Sequence, residues 1–170
     1  MLHCTSRMNK KALSERDICS KFITPALVSA NWDLMSQIRE EVSFTKGRVI
    51  VRGQRSTRGD PKRADYLLSF KPGIPLAVLE AKDNKHSVGA GMQQALGYAD
   101  TLDVPFVFSS NGDAFVFHDR TGQSNPVEVE LPLDLFPSPA ELWRRYCLWK
   151  ALTAAQLPVV EQDYHLAAPG

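Results

Sequence analysis

The chain has 170 residues, 44% of them hydrophobic and 23% charged, with a formal net charge of +1. These values are ordinary for one soluble globular domain, and no apolar run approaches the roughly 18 residues that would span a bilayer. The polar, basic start of the chain predicts no signal peptide, and three widely spaced cysteines argue against a disulfide framework or a zinc site. We therefore expect a cytoplasmic protein without membrane contact.

The first predicted element is a helix over residues 14–32, which begins at a capping box completed by Asp17. Within it, Pro25 predicts either a kink or a restart. A strand is predicted over residues 47–53 and a loop over residues 54–63. This region is rich in lysine and arginine, which favours an anionic partner such as a phosphate backbone; a solvated loop is the alternative.

A β-hairpin follows, with strands over residues 64–70 and 75–82 and turn chemistry between them. Residues 76–79 of the second strand are continuously apolar, which is typical of a central strand covered on both faces. After a polar loop over residues 83–87, apolar residues at helical spacing predict an amphipathic helix over residues 88–102.

The second half of the chain continues the alternation of strands and helices. Strands are predicted over residues 104–109 and 114–118, and an N-cap serine followed by proline predicts a helix over residues 139–149. The order of the elements predicts an α/β fold, with a central mixed β-sheet flanked by helices.

The domain organisation is predicted from the same patterns. Residues 1–12 form a flexible N-terminus, residues 13–150 form one domain, and residues 151–170 form a tail or linker, since residues 157–170 lack any pattern.

Three charged residues are expected together at one end of the sheet. Asp65 begins the first hairpin strand, while Glu80 and Lys82 end the second and point to the same face. Asp65 and Glu80 are oxygen ligands suited to Mg²⁺, with the carbonyl of Ala81 as a third ligand. Lys82 would hold the attacking water and offset negative charge on a phosphate, so the set predicts phosphodiester hydrolysis. The alternative is a turn aspartate beside a solvated strand end.

Gln94 and Tyr98 lie four residues apart on one face of the predicted helix. The pair could contact a phosphate or orient the lysine and water. For Tyr98 the alternative is an amphipathic core residue.

Taken together, these motifs resemble the PD-(D/E)xK nucleases, in the RecB-like branch that carries a Gln-x-x-x-Tyr element. The sequence segments around these motifs resemble the N-terminal nuclease domain of type I restriction enzyme R subunits. The resemblance extends over about residues 14–149. The segments that carry it are residues 63–66, 76–82, 93–99, 104–108, 109–112 and 136–139.

The resemblance implies a restriction-endonuclease-like core, and it implies roles for particular residues. Asp65 and Glu80 match the metal ligands, Lys82 the catalytic lysine, and Gln94 with Tyr98 the accessory pair. The same catalytic set includes an acidic position in the first helix that often faces the active site in such nucleases.

That acidic position is Glu15, for which a helix N-terminal charge favoured by the dipole is the alternative interpretation. The sequence departs from the family pattern at Ala64, where proline is expected; proline is not a ligand, so the assignment stands. The candidate DNA contacts are Arg55, Arg58, Lys62, Arg63, Lys85 and His86.

The resemblance also implies cofactors and partners. The expected cofactor is Mg²⁺, with Mn²⁺ as a substitute, and the expected substrate is double-stranded DNA gripped by its backbone. The chain has no Gly-x-x-x-x-Gly-Lys-Ser/Thr motif, so ATP would act only through a motor domain of the same parent chain, absent from this sequence. Modification and specificity subunits of a restriction complex are the other expected partners.

Two further hypotheses remain open. The chain could be a stand-alone repair or mobile-element nuclease with the same fold. It could also be a catalytically inactive nuclease-fold module for DNA binding or assembly, a reading that would gain if Asp65 and Glu80 pointed apart.

Overall fold

The computed structural model describes residues 8–45, 48–49 and 61–161. The strands are β1 (Ile38–Thr45), β2 (Arg48–Val49), β3 (Lys62–Lys71), β4 (Ile74–Ala81), β5 (Phe106–Ser110), β6 (Ala114–Asp119) and β7 (Glu128–Pro132). Across the described part of the chain they form one sheet in the order β2-β1-β3-β4-β5-β6-β7. Strands β4 and β5 pair in parallel and the other neighbours pair antiparallel, so the predicted mixed sheet is confirmed.

The helices flank this sheet, as predicted. They are α1 (Glu15–Ile18), α2 (Thr24–Ser29), α3 (Met92–Leu102), α4 (Pro139–Trp149) and α5 (Leu157–Glu161). Helix α3 lies in the crossover that a parallel β4–β5 pair requires. No helix among the described residues is long and apolar enough to cross a membrane.

The core consists of two buried clusters, one on each face of the sheet. Val78 and Val107 pack with Ala95 of α3 on one face, whereas Leu79 and Phe108 belong to the larger cluster on the other. Successive residues of a strand point to opposite faces, so β4 is buried on both sides as its apolar run predicts. Glu80 and Lys82 share the parity of Val78 and therefore belong to the α3 face.

Strands β1 and β7 were not predicted from the sequence, and each has a physical reason. In β1 the register against β3 is unbroken, but Glu40 and Glu41 stand between its apolar residues and Glu41 adopts φ 52°, so the strand lacks a continuous apolar alternation. Strand β7 is an edge strand with only partly buried and exposed positions, so it carries little hydrophobic signal.

The predicted helix over residues 14–32 is interrupted and ends earlier. Its capping box is confirmed, since Ser14 Oγ accepts from the Asp17 N–H at 3.1 Å. A π-helical segment, Cys19–Ile23, separates α1 from α2. Pro25 cannot donate an intrahelical hydrogen bond, and a π-turn before it accommodates that loss. Helix α2 then ends at Ser29 rather than at Trp32.

Other predicted bounds are corrected at their ends. Of the predicted strand over residues 47–53, the structure describes residues 48–49, which form β2; the remainder lies outside the described residues. Lys62 and Arg63 belong to β3 rather than to the preceding loop, and α3 begins at Met92 rather than at Val88.

The two predicted terminal segments contain regular structure. Lys10–Ala12 forms a short helical turn inside the segment predicted as a flexible N-terminus. Helix α5 lies in the stretch predicted to have no pattern. It is stabilised by tertiary contact, because the Trp143 indole N–H donates to the Glu161 carboxylate at 3.1 Å.

Candidate active site

Asp65 and Glu80 lie side by side where β3 and β4 leave the core. Tyr66 pairs with Leu79, so the next residue outward on each strand is Asp65 and Glu80 respectively. Asp65 Oδ2 accepts a hydrogen bond from the Ala81 N–H at 2.7 Å, and the Asp65 N–H approaches Glu80 Oε2 at 3.5 Å. The two carboxylates therefore meet, as the hairpin register predicted, rather than pointing apart.

Glu80 is the more deeply placed of the two carboxylates. Only 4% of Glu80 is exposed to solvent. Burial, followed by the negative charge of Asp65, raises the pKa of Glu80 to about 8, while the charge of Lys82 opposes this shift. The fold thus holds a carboxyl group whose ionised form the protein compensates only in part.

Lys82 lies just beyond β4 and is oriented by α3. Its backbone N–H donates to the Ser110 carbonyl at 2.9 Å, which extends the parallel pairing by one residue. Its ammonium donates to Gln94 Oε1 at 3.1 Å, and Gln94 Nε2 donates to the Tyr98 hydroxyl at 2.6 Å. These two bonds define which way the Gln94 amide faces.

Tyr98 connects this chain of hydrogen bonds to the core. Its ring meets the ring of Phe44 edge-on, with centroids 5.3 Å apart, and Phe44 is fully buried. Tyr98 is therefore both a packing residue of the α3 face and a hydrogen-bond partner of Gln94. The packing that the sequence offered as the alternative for Tyr98 is present, and a contact of the pair with phosphate stays a prediction.

Glu15, at the start of α1, also faces the two strands. Burial, followed by the negative charge of Asp65, raises the pKa of Glu15, and the charge of Lys82 opposes this shift. Glu15 and Asp65 line a cavity of about 150 Å³ together with Glu40 and Glu41 of β1. The structure therefore brings Glu15 close to Asp65.

Glu40 and Glu41 were not identified from the sequence. The Thr24 hydroxyl donates to Glu40 Oε1 at 2.8 Å, and Glu41 Oε1 contacts Arg63 Nη2 at 2.5 Å. Glu41 adopts φ 52°, and its carboxylate pairs with Arg63 of the neighbouring strand β3. The signal available in the sequence was the alternation of Ile38, Val42 and Phe44, which two successive glutamates interrupt.

The candidate DNA contacts that the structure describes border the carboxylates from two sides. Lys62 and Arg63 precede Asp65 on β3, and the Lys62 ammonium lies 3.4 Å from Thr101 Oγ1. Lys85 and His86 follow Lys82 in an exposed loop, in which His86 Nδ1 lies 3.0 Å from the Asp83 carboxylate. The other two candidates, Arg55 and Arg58, lie outside the described residues.

The donor set suits a hard cation. No three His, Cys, Asp or Glu side chains cluster as metal ligands within residues 8–45 and 61–161. A closed structural zinc site needs such a cluster, whereas Mg²⁺ retains several waters and accepts one or two carboxylates. Glu80 fits this chemistry, since a cation beside it would offset the burial and the charge of Asp65. The Ala81 carbonyl remains a predicted third ligand.

Comparison with known proteins identifies the family. The family described as type I restriction enzyme R protein N terminus matches residues 12–126 of the chain. The chain belongs to this family. The match includes both strands of the hairpin and the whole of α3, so every described residue of the candidate site lies within it.

Two relatives support the assignment. The chain is 53% identical over 161 residues to the endonuclease subunit of the type I restriction enzyme EcoAI from Escherichia coli, which covers 94% of this chain and 20% of that protein. A solved structure, described as a fragment of an HsdR subunit of a type I restriction enzyme from Vibrio vulnificus, aligns with a TM-score of 0.74 and 39% identity. That alignment covers 90% of this chain and 29% of the Vibrio chain, so this chain spans less than a third of either relative.

Proposed function

We propose that this chain is the Mg²⁺-dependent DNA endonuclease domain of a type I restriction R subunit, which hydrolyses phosphodiester bonds without reading sequence itself. The proposal is carried by one observation: Asp65 and Glu80 meet at the end of the β3–β4 hairpin, beside a lysine oriented by Gln94. The inactive-module hypothesis would have gained if the two carboxylates pointed apart, and they lie side by side.

Asp65 and Glu80 would hold the cation, with Mn²⁺ accepted in place of Mg²⁺ because it also takes oxygen ligands. When bound, the cation would polarise a phosphoryl oxygen and acidify a water molecule. The backbone bond from Ala81 fixes one oxygen of Asp65, and burial restricts Glu80 to the same site. Both ligands are thus pre-organised on strands rather than on loops.

Lys82 supplies the positive charge of the proposed mechanism. Its ammonium has three N–H donors, and the bond to Gln94 uses one of them. The others can reach a phosphate oxygen and the attacking water, so that Lys82 stabilises charge that develops in the transition state. Tyr98 restrains Gln94, which keeps the ammonium in place before substrate arrives.

The basic residues around the carboxylates would hold the DNA backbone. Lys62, Arg63, Lys85 and His86 are exposed on both sides of the pair, and phosphate contacts of this kind position a duplex without reading its sequence. Because both relatives are much longer chains, we propose that the R-subunit motor, ATP use, and the modification and specificity subunits belong to the cytoplasmic complex in which this domain works.

The first test compares nicking of supercoiled plasmid by the wild type, Lys82→Ala and Lys150→Ala in Mg²⁺, Mn²⁺ or EDTA. Lys150→Ala removes the same charge from an exposed lysine at the end of α4 and serves as the matched control. We expect cation-dependent nicking by the wild type and by Lys150→Ala. Lys82→Ala should nick at least about 100-fold more slowly, since it loses transition-state charge stabilisation.

Equal nicking by Lys82→Ala and the wild type would refute the assignment of the lysine. Direct Mn²⁺ titration of the same proteins resolves the case in which none of them nicks. Mn²⁺ binding that Asp65→Asn abolishes would retain the metal site and indicate that cleavage requires the other subunits. Absence of Mn²⁺ binding would replace the nuclease by the non-catalytic module.

A further inference from the structure

Ser109 lies beside Glu80 on the neighbouring strand but has no role in the site so far described. In the parallel pairing of β4 with β5, Glu80 is the register partner of Ser109. Ser109 is fully buried, and it shares the parity of Val107, which packs under α3. Its side chain therefore points to the same face of the sheet as Glu80.

The Ser109 hydroxyl forms two hydrogen bonds to the segment that precedes α3. It donates to the Val88 carbonyl at 2.7 Å and accepts from the Gly91 N–H at 3.0 Å. Gly91 has no side chain that could cap the helix, and the bonds from Ser109 fasten this turn to the sheet instead. This explains why the helix begins at Met92 although its apolar pattern begins at Val88.

Gly91 is pressed against Glu80 by this arrangement. A Cβ atom at Gly91 would lie 3.1 Å from Glu80 Cγ, 3.2 Å from Glu80 Cβ and 3.1 Å from Ser109 Oγ. The φ of Gly91 is −86°, which any residue adopts, so glycine is required here for close approach rather than for backbone conformation. The glycine backbone thus forms one wall of the space that Glu80 occupies.

We infer that the Ser109 hydroxyl and Gly91 form a clamp that positions the Glu80 side chain as a cation ligand. The inference rests on the proposed function. The clamp has a second consequence, because Gln94 follows Gly91 by one helical turn. Because Gly91 is held against the sheet, the position of Gln94 above the sheet is fixed. The hydrogen bond from the Lys82 ammonium to Gln94 then determines where the ammonium points. Ser109 touches no reacting atom in this arrangement; it acts through Glu80 and α3.

The test uses two matched pairs of variants. Ser109→Ala is paired with Ser110→Ala, since Ser110 is equally buried and its hydroxyl also donates to a carbonyl, that of Ala114 at 2.7 Å, and accepts from the Gly112 N–H at 3.1 Å. The two serines thus make the same kinds of bond, but Ser110 holds the turn between β5 and β6.

Gly91→Ala is paired with Gly97→Ala in the same helical region, where a Cβ atom would meet nothing within 4 Å. The Gly91→Ala substitution adds a methyl group without removing any hydrogen bond. It therefore tests the clamp even if Ser109→Ala fails to fold, and circular dichroism with urea unfolding establishes which variants are folded.

The readout is the dissociation constant for Mn²⁺, measured on the whole chain without DNA by calorimetry and water-proton relaxation. We expect Ser109→Ala and Gly91→Ala to bind Mn²⁺ about tenfold more weakly, the usual effect of losing support behind a metal ligand. Ser110→Ala and Gly97→Ala should bind within about twofold of the wild type, because neither substitution moves a metal ligand.

Equal Mn²⁺ affinities within each pair, in a wild type that binds Mn²⁺, would overturn the clamp and leave the proposed function intact. Equal weakening by Ser109→Ala and Ser110→Ala would also overturn it, since the effect would then reflect stability alone. A wild type that binds no Mn²⁺ would refute the metal dependence of the proposed function and the clamp with it.

Discussion

Glu80 and Asp119 are both buried carboxylates on the sheet, yet the protein treats them in opposite ways. Asp119, at the end of β6, is 1% exposed and accepts hydrogen bonds from the Thr121 N–H at 2.8 Å, Ser124 Oγ at 2.7 Å and Arg145 Nη1 at 3.2 Å. Burial alone would raise the pKa of Asp119, but these donors outweigh it and lower the pKa. The ionised form is thus part of the folded structure.

Glu80 has no comparable set of donors. It is 4% exposed, its described backbone contact to Asp65 is long at 3.5 Å, and a second carboxylate lies beside it. Burial and the charge of Asp65 raise its pKa to about 8. Burial alone therefore does not mark a functional carboxylate. A buried carboxylate that the protein compensates only in part is the better sign, since a bound cation can supply the missing positive charge.

Replacing Asp119, the carboxylate that the protein satisfies, should destabilise the fold most. Asp119→Asn replaces an acceptor by an amide among four donors from three residues and breaks the ion pair with Arg145. We expect the free energy of unfolding to fall by about 3 kcal/mol, the usual cost of removing one partner of a buried pair. Urea unfolding measures it, with the exposed Asp134→Asn as control. A loss equal to that of the control would remove the contrast.

Glu80→Gln should do the reverse and stabilise the chain in EDTA at pH 8. A carboxyl group whose folded pKa is about 8 and whose ordinary value is 4.5 stabilises the fold at low pH and loses that contribution as the pH rises between these values. We expect Glu80→Gln to be more stable than the wild type on the order of 2 kcal/mol at pH 8, with little difference at pH 4.5.

Urea unfolding at both pH values measures this change, with the exposed Glu130→Gln on β7 as control. The same Glu80→Gln variant should lose DNA nicking, since a neutral amide is a weaker cation ligand. A destabilised Glu80→Gln at pH 8 would show that the carboxylate is satisfied after all.

Loss of the Tyr98–Gln94 hydrogen bond, which connects the core to Lys82, should change activity least. Tyr98→Phe keeps the ring contact with Phe44 and removes the hydroxyl that accepts from Gln94. We expect plasmid nicking to slow about fivefold, equivalent to about 1 kcal/mol for one neutral hydrogen bond. The melting temperature should barely change. Tyr146→Phe on α4, which packs on the opposite face, is the control; an equal effect there would deny Tyr98 a specific role.

The hairpin and its charged end could be predicted because the signals are local. The strands predicted over residues 64–70 and 75–82 correspond to β3 and β4 within two residues at each end. The turn between them has Gly73 at φ 89°, a conformation that glycine adopts freely. Strand parity then places Glu80 and Lys82 on one face, independently of how the rest of the chain folds.

The residues that were missed depend on contacts distant in sequence. Glu40 and Glu41 line the site only because β1 pairs antiparallel with β3 beside Asp65. Ser109 reaches the turn before α3 only because β5 pairs in parallel with β4. Neither register can be read from the residues of one strand, since both depend on how distant segments meet.

The amino-acid sequence specifies the chemical groups of the candidate site: two carboxylates, a lysine and a Gln-x-x-x-Tyr element. It also specifies the strands and the helix that carry them, because local apolar patterns predict these elements. The electrostatic state of the groups depends on the folded arrangement. Strands β3 and β5 and helix α3 converge on β4 at Glu80. This convergence buries Glu80, brings it close to Asp65 and places Gly91 against its side chain. Desolvation and Coulomb interactions depend on distance in space, which the order of residues along the chain does not specify.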